Sequence, residues 1–412
     1  MKKRNIVLIL LVMLGAITFL DRLCIAAAGP RMQDDLFISP EQWGWILGAF
    51  ILSYGLFQIP LGVMGDKYGQ KGVLAVIVIW WSLFTGLTGI ATGFLSLILV
   101  RFLFGIGEAG AYPIMSASVS RWFPKTERGK AQGFIWGASR AGGAISPLLV
   151  VPIQAAYGWR ASFYFLSLLG LVWGIIWWIW YRNKPSEHPT ITKEEIIEIG
   201  FVESKVEQKK VPWKIILKKR QFWMILAMYW FYVWGSWFYF SWLHTYLIKG
   251  RGFSETEMKY ASAFPFLLGM CANILGGFLS DFVTKKYDSY IGRSVIGASS
   301  LFLSAILLAS AGLVEGKILV AVFLALSFGT MDLMLPSAWA LCLDVGNKYA
   351  GAITGAMNTS GNLGGFVCTV MFGYLVTYFN SYNAPLFVIA GMLITSSIIF
   401  IKIDPRKPLI EE

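Results

Sequence analysis

An all-α integral membrane fold, with twelve transmembrane helices in two six-helix bundles, is what this sequence predicts, on three observations. Of its 412 residues 56% are hydrophobic and 14% charged, against about 25% charged in a typical soluble domain; the mean hydropathy is +0.62. Apolar runs long enough to cross a bilayer as helices recur from end to end. The longest polar stretch falls near the middle and divides these runs six and six.

The runs fall at 6–28, 42–64, 73–92, 94–116, 129–153, 161–181, 222–248, 259–281, 294–312, 317–340, 350–377 and 383–402. The expected domains are an N-terminal bundle over 1–181, a cytoplasmic loop over 182–220 and a C-terminal bundle over 221–412. No long segment is left for a soluble catalytic domain. With the N-terminus inside, 26 of the 35 Lys and Arg lie on inner segments, six on outer loops and three within helices. This asymmetry follows the positive-inside rule, puts both termini in the cytoplasm, and makes the +12 net charge a matter of topology rather than of nucleic-acid binding.

The first run follows Lys2-Lys3-Arg4 and precedes Ala26-Ala27-Ala28, a superficial likeness to a cleavable leader. It is too long for a leader and carries Asp21-Arg22, so it reads as a span. The second run ends in Gly62-x3-Asp66-Lys67, and the eighth ends in Gly277-x3-Asp281, an internal repeat at two cytoplasmic helix ends. Small residues there permit close helix approach, and the aspartate can pair with a neighbouring cation, so the motif reads as a latch or as a tight turn. The central loop holds a charged segment, Ile191–Lys210, that reads equally as a surface helix or a solvated linker.

The fourth run places Arg101 and Glu108 seven residues apart. That is almost two turns, so the pair shares a helix face about 10.5 Å apart along the axis, too far for easy direct contact. Asp21 and Arg22, being adjacent, diverge by about 100° around theirs. With Arg140 and Asp332, six ionisable residues lie at membrane depth. By insertion scales such residues together cost roughly 15–20 kcal/mol, more than a typical fold's whole stability. They must pair or face a water-filled cavity, and a cavity lined with charge is a transport or binding site.

Gly105-Ile106-Gly107-Glu108-Ala109-Gly110 also matches the dinucleotide fingerprint, but it lies inside an apolar span, so its glycines read as a helix-packing stripe. The seventh run is loaded with Trp223, Tyr229, Trp230, Tyr232, Trp234, Trp237, Tyr239 and Trp242. Some are expected to line a cavity and at least half to face lipid or anchor the interface. Cys24, Cys271, Cys342 and Cys368 lack metal-like spacing and read as packing residues. His188 and His244 receive no role.

Gly62-x3-Asp66-Lys67-Tyr68-Gly69-Gln70-Lys71 resembles the loop signature of the major facilitator superfamily and, within it, the chain resembles the anion:cation symporter family. That family includes bacterial sugar-acid transporters and the animal vesicular glutamate transporter and sialin relatives. The likeness rests on Phe19-Leu20-Asp21-Arg22, Tyr54-x3-Gln58-Ile59-Pro60-x-Gly62 and Gly62-x3-Asp66-Lys67-Tyr68-Gly69-Gln70-Lys71. Arg101-x3-Gly105-x-Gly107-Glu108-Ala109-Gly110-Ala111-Tyr112-Pro113, Gly158-Trp159-Arg160 and Asn358-x3-Asn362-x-Gly364-Gly365 complete it. The resemblance spans the chain and thins after residue 250.

It implies that Arg22 and Arg101 bind the substrate carboxylate, Glu108 couples protons and Asp21 titrates as a second group. Tyr54 and Asn358 are implied sugar-acid contacts, and Gly62, Asp66, Lys67 and Asp281 the gating loops. Arg140 departs from the sugar-acid pattern, as an additional anion site or a neutralising charge; Asp332 is likewise unexpected. The implied function is proton-coupled symport of a small organic anion, a hexuronate or aldonate in class, with no cofactor, no metal and no enzymatic activity. H⁺ is the coupling ion, with Na⁺ a second candidate. The expected setting is the cell inner membrane, as a monomer among lipids. An organophosphate exchanger is disfavoured because no Arg lies between Gln221 and Ile248, and a drug antiporter because Gly-Pro-x-x-Gly-Gly is missing around Pro147. A transporter-like sensor stays open.

Overall fold

The computed structural model describes residues 2–124, 127–200 and 211–409, and among them every regular element is helical. The apolar runs set the first seven helices: α1 (Lys3–Asp35), α2 (Pro40–Tyr68), α3 (Gln70–Thr88), α4 (Phe94–Ala109), α5 (Ala111–Trp122), α6 (Arg128–Tyr157) and α7 (Trp159–Trp180). Two short helices follow, α8 (Lys193–Ile199) and α9 (Trp213–Ile216). The rest are α10 (Arg220–Trp237), α11 (Leu243–Thr245), α12 (Glu255–Lys286), α13 (Ile296–Leu313), α14 (Lys317–Gly346), α15 (Ala350–Phe379) and α16 (Ala384–Phe400). Among the described residues ten helices are long and apolar enough to cross a membrane, α4 and α5 counting as one, and α16 is a shorter apolar helix. The protein is a multi-pass membrane protein.

Contacts divide the chain into two compact units, Met1–Ile38 with Ala49–Glu207, and Ser39–Gly48 with Gln208–Glu412. In the first, α1 packs on α6 and α3 on α7; in the second, α10 packs on α15 and α13 on α16. The order of pairing is the same in both, as an internal repeat requires. Close approach is bought with small residues. A Cβ on Gly142 of α6 would strike the Ala16 carbonyl of α1, and one on Gly276 of α12 would strike the Leu333 carbonyl of α14. The Gly105–Gly110 stripe has the same use: Gly105 lies on Phe50, Gly107 on Trp80 and Trp81, and Gly110 on Leu61.

Two elements differ from their sequence expectation. The single helix expected over 94–116 is interrupted at Gly110, close to Pro113, whose missing amide removes a helical hydrogen bond. The seventh run leaves α-geometry for π-turns at Phe238–Trp242 and Tyr246–Gly250. Its aromatics are mostly not lipid-facing. Tyr229, Tyr232, Trp234, Trp237, Tyr239 and Trp242 are buried and Trp223 is exposed, because α15 and α16 cover α10. Buried polar ends find carbonyls, Tyr239 donating to Leu324 (2.9 Å) and Trp242 to Thr369 (3.0 Å).

The loop segment read as Ile191–Lys210 is helical over α8, while 201–210 lie outside the described residues. Thr192 caps α8, and the Glu195 carboxylate accepts from the Lys3 and Arg4 amides that open α1 (3.0 and 2.9 Å). Glu198 pairs with Lys2 and Arg4, each at 2.6 Å. Those two hydrogen-bonding cations hold its carboxyl below the usual range.

The tight α12–α14 crossing is testable by pairing Gly276→Ala with Gly391→Ala, whose Cβ would enter open space. The first should destabilise by about 1–3 kcal/mol through overpacking and lower the melting temperature in detergent. The second should not, since alanine is the better helix former. Equal melting temperatures would refute the crossing.

Candidate functional site

Helix packing within the first unit brings its charged residues together. Asp21 and Arg22 come from α1, Tyr54 from α2, Trp81 from α3, Arg101 and Glu108 from α4, Tyr112 from α5, and Ser139 and Arg140 from α6. Glu108 is fully buried and Arg22 is 9% exposed; they form an ion pair, Nη2 to Oε1 at 2.8 Å, reinforced by Nε at 3.2 Å. The other carboxylate oxygen, Glu108 Oε2, is buried with no hydrogen-bond partner among the described residues.

Divergence of Asp21 from Arg22 is realised as the helix geometry dictates. Asp21 turns to α3, where its Oδ2 accepts from the Trp81 indole at 3.1 Å, while Oδ1 is a buried oxygen without a partner among the described residues.

Arg101 is 2% exposed and has no hydrogen bond or ion pair among the described residues. Its guanidinium is held by ring faces instead, 4.3 Å from the Phe104 centroid and 5.0 Å from that of Phe50. Glu108, seven residues along the same helix, is bonded to Arg22 of α1 and not to Arg101, as their axial separation implies. Tyr54 stands by the pair, its ring centroid 4.9 Å from the Arg22 guanidinium. Arg140 is half-buried, and its guanidinium lies 5.8 Å from the Phe19 ring. Beside it Ser139 donates to the Ile135 carbonyl (2.9 Å), so Tyr112 donates to Ser139 (2.8 Å) while its ring stacks on Trp136.

The sequence reading missed Trp81, the phenyl rings of Phe19, Phe50 and Phe104, and the Tyr112–Ser139 contact. These are ordinary apolar or small residues in their local sequence; only the close order α2-F, α4-R-x-x-F (Phe50; Arg101, Phe104) carries any signal.

In the second unit Asn358 is a half-buried residue of α15. Asp332 of α14 is fully buried, against Gly269 of α12, where a Cβ would stand 2.9 Å from Oδ2. The two loop motifs differ. Asp281 accepts from Arg293 at 2.7 Å, and Arg293 also reaches Ser280 (2.7 Å) and Asp344 (3.4 Å). Asp66 is exposed, Lys67 lies 5.1 Å from the Tyr68 ring, and Gly62 lets α2 approach Pro113. The turn after Asp66 needs glycine at Gly69, whose φ is +89°, and Asn183 secures it by accepting from the Lys71 amide at 2.9 Å.

The chain is similar to known proteins over most of its length. The Major Facilitator Superfamily model matches residues 11–369. A probable sulfoacetate transporter of Cupriavidus necator is 34% identical over 95% of this chain and 92% of its own. The hexuronate transporter of Bacillus subtilis is 32% identical over 96% and 93%, and a probable L-galactonate transporter of Escherichia coli 25% identical over 97% and 90%. Among solved structures, a bacterial homologue of the human lysosomal transporter Spinster, inward-facing and occupied, superposes with a TM-score of 0.82 at 18% identity, covering 96% of each chain, a likeness of fold. The all-helical architecture, the charged cluster at membrane depth and these relatives agree: this chain belongs to the Major Facilitator Superfamily, and it is a membrane transporter rather than an enzyme.

Proposed function

We propose that the protein is a proton-coupled symporter of a small organic anion, a sugar acid in class, working by alternating access. The observation that carries this reading is Arg101: a guanidinium buried at membrane depth with ring faces around it and no ion pair among the described residues. An unpaired buried cation is costly, and an anion from solution would relieve that cost by binding. Relatives named for hexuronate and galactonate transport support the substrate class.

The Arg22–Glu108 pair supplies the coupling. While Glu108 is ionised it occupies Arg22. A proton on Glu108 weakens that bond and frees a second guanidinium fork for the substrate carboxylate. Loss of the proton restores the internal pair, which competes with the substrate and favours its release. Asp21, with one open oxygen and one indole donor, is the second group able to hold a proton. Tyr54 and Asn358 contact the sugar hydroxyls, and the Gly62-Asp66-Lys67 and Gly277-Asp281 loops act as cytoplasmic latches.

This reading takes the chain as twelve spans, bundles over 1–181 and 221–412 joined by 182–220, in a bacterial inner membrane with both termini cytoplasmic. It takes the protein as a monomer that needs no cofactor, with H⁺ rather than Na⁺ as the driving ion.

Purified protein in liposomes loaded with a pH dye tests it, with glucuronate, galacturonate, galactonate, glucarate and N-acetylneuraminate added in turn. One or more acids should acidify the lumen. Glu108→Gln should abolish accumulation driven by a pH gradient while keeping substrate exchange; equal loss of both would overturn the coupling role. Arg101→Gln should weaken substrate binding roughly 10- to 100-fold, as expected for loss of a charged hydrogen bond. Uptake driven by a Na⁺ gradient alone would replace the ion, and silence across the panel would favour exchange or sensing.

A further inference from the structure

The coupling scheme leaves His188 without a role, yet this histidine is only 7% exposed. It follows α7 on the face of the first unit that carries the start of α1, the cytoplasmic face in the topology proposed above. Two indoles enclose its imidazole. Trp180, which ends α7, lies 4.6 Å away by ring centroids, and Trp122, which ends α5, meets it edge-on at 6.0 Å. Trp122 is itself fixed, donating to the Arg182 carbonyl at 3.0 Å.

The imidazole also shapes the segment that leads to α8. Its Nδ1 accepts from the Thr190 amide at 3.4 Å, a long bond open only to a ring unprotonated at Nδ1. Two residues on, Thr192 caps α8 by accepting from the Glu195 amide at 3.3 Å. Glu195 then accepts from the Lys3 and Arg4 amides, and Glu198 pairs with Lys2 and Arg4. Arg4 is 5% exposed and reaches Glu127, the residue before α6, at 3.4 Å. His188 thus heads a series of contacts that fastens the first turn of α1, the helix that carries Asp21 and Arg22.

The surroundings of the ring oppose a proton. Burial, then Lys3 of α1 and Arg182 after α7, push its pKa below the usual histidine value, while Glu195 of α8 pulls the other way. Undocked into water, the ring returns to about 6.5. A histidine with a lower value docked than free takes its proton preferentially when undocked. Docking is therefore fully favoured above about pH 6.5 and loses ground as the pH falls from there towards the docked value.

We infer that His188 is a proton sensor for this face: on gaining a proton it leaves the indole pocket, α8 releases the α1 amides, and transport slows. Transport slows because α1, which sets Arg22 against Glu108, loses the contacts that hold its end. The inference goes beyond the symport reading and holds for any substrate or driving ion. In a carrier that imports protons it makes acid on the receiving side a brake on further uptake.

Hydrogen–deuterium exchange of the full-length protein between about pH 7.5 and 5.5 tests it, each rate being divided by the intrinsic amide rate at that pH. Protection of the peptide that opens α1 should fall by up to about tenfold at pH 5.5, the most that one proton supplies a unit below a free value of about 6.5. His188→Gln and His188→Phe, which do not titrate, should keep that protection across the range, and His188→Lys should lack it throughout. Protection of α13 in the second unit should be alike in all four proteins and reports that each is folded. Native protection that does not change with pH overturns the inference. So does a loss shared by the non-titrating variants, which would trace it to the Glu195 and Glu198 carboxylates. The chain has two histidines, so a histidine-selective NMR label reads the ring directly. If neither non-titrating variant docks, coincidence of the ring titration with the native loss of protection supports the sensor, and separation of the two overturns it. Substrate exchange in proteoliposomes at equal pH on both sides supplies the second readout. The native rate divided by that of a docked, non-titrating variant cancels the pH dependence of the transport site, and this ratio should fall towards pH 5.5. A flat ratio overturns the regulatory role. Failure of exchange with every acid removes the symport reading and leaves the protection measurements to decide this one.

Discussion

Everything at the site depends on the ion pair between Arg22 of α1 and Glu108 of α4. It joins two helices of the first unit through side chains that could not be buried singly without a large desolvation cost. A pair of this kind is weak evidence for stability, since apolar residues of similar size often do as well. For the proposed coupling, its value lies in being breakable. A proton, or a competing carboxylate, changes the balance of charge in a space where water cannot screen it. The neighbouring residues are arranged around that balance: Trp81 fixes Asp21, and aromatic rings hold Arg101 without neutralising it.

Holding guanidinium groups by ring faces has a physical consequence. A carboxylate partner would satisfy Arg101 permanently and leave nothing for a ligand. Phe50 and Phe104 offer the negative face of a quadrupole, worth a kilocalorie or two when desolvated, enough to orient the group and far less than a full ion pair. Arg22, which is paired with Glu108, also lies by the Phe19, Phe50 and Tyr54 rings, and Arg140 lies by Phe19. Glycine contacts make it workable by keeping the helices at fixed distances, so the rings cannot drift from the cations they support.

The second unit solves a different problem. Its α10 region is filled with aromatics that pack inward, and π-turns widen the helix where they crowd. Its loop motif is an ion-pair network centred on Arg293, whereas the first unit's equivalent leaves Asp66 exposed and depends on Gly69 and Asn183 for its turn. The motif is repeated in sequence but not in its contacts, because the basic residue twelve positions beyond Asp281 has no counterpart of the same geometry beyond Asp66.

Sequence by itself determined the helical, multi-pass membrane architecture and placed Asp21, Arg22, Arg101 and Glu108 inside apolar helices. Those properties are local: apolar length, loop charge and the spacing of small residues are written in contiguous stretches. It also determined that Arg101 and Glu108 lie on one helix face, since 3.6 residues per turn leaves no choice. What it could not decide was which cation meets which carboxylate. Arg22 and Glu108 are 86 residues apart and Trp81 and Asp21 are 60 apart, and such pairings follow from how helices cross. The same holds for the phenyl rings under the arginines, indistinguishable in sequence from lipid-facing Phe, and for the aromatics of α10, whose burial depends on α15 and α16. Only the tertiary structure could settle these, because a side chain's partner is fixed by the helix packed against it and not by its neighbours along the chain.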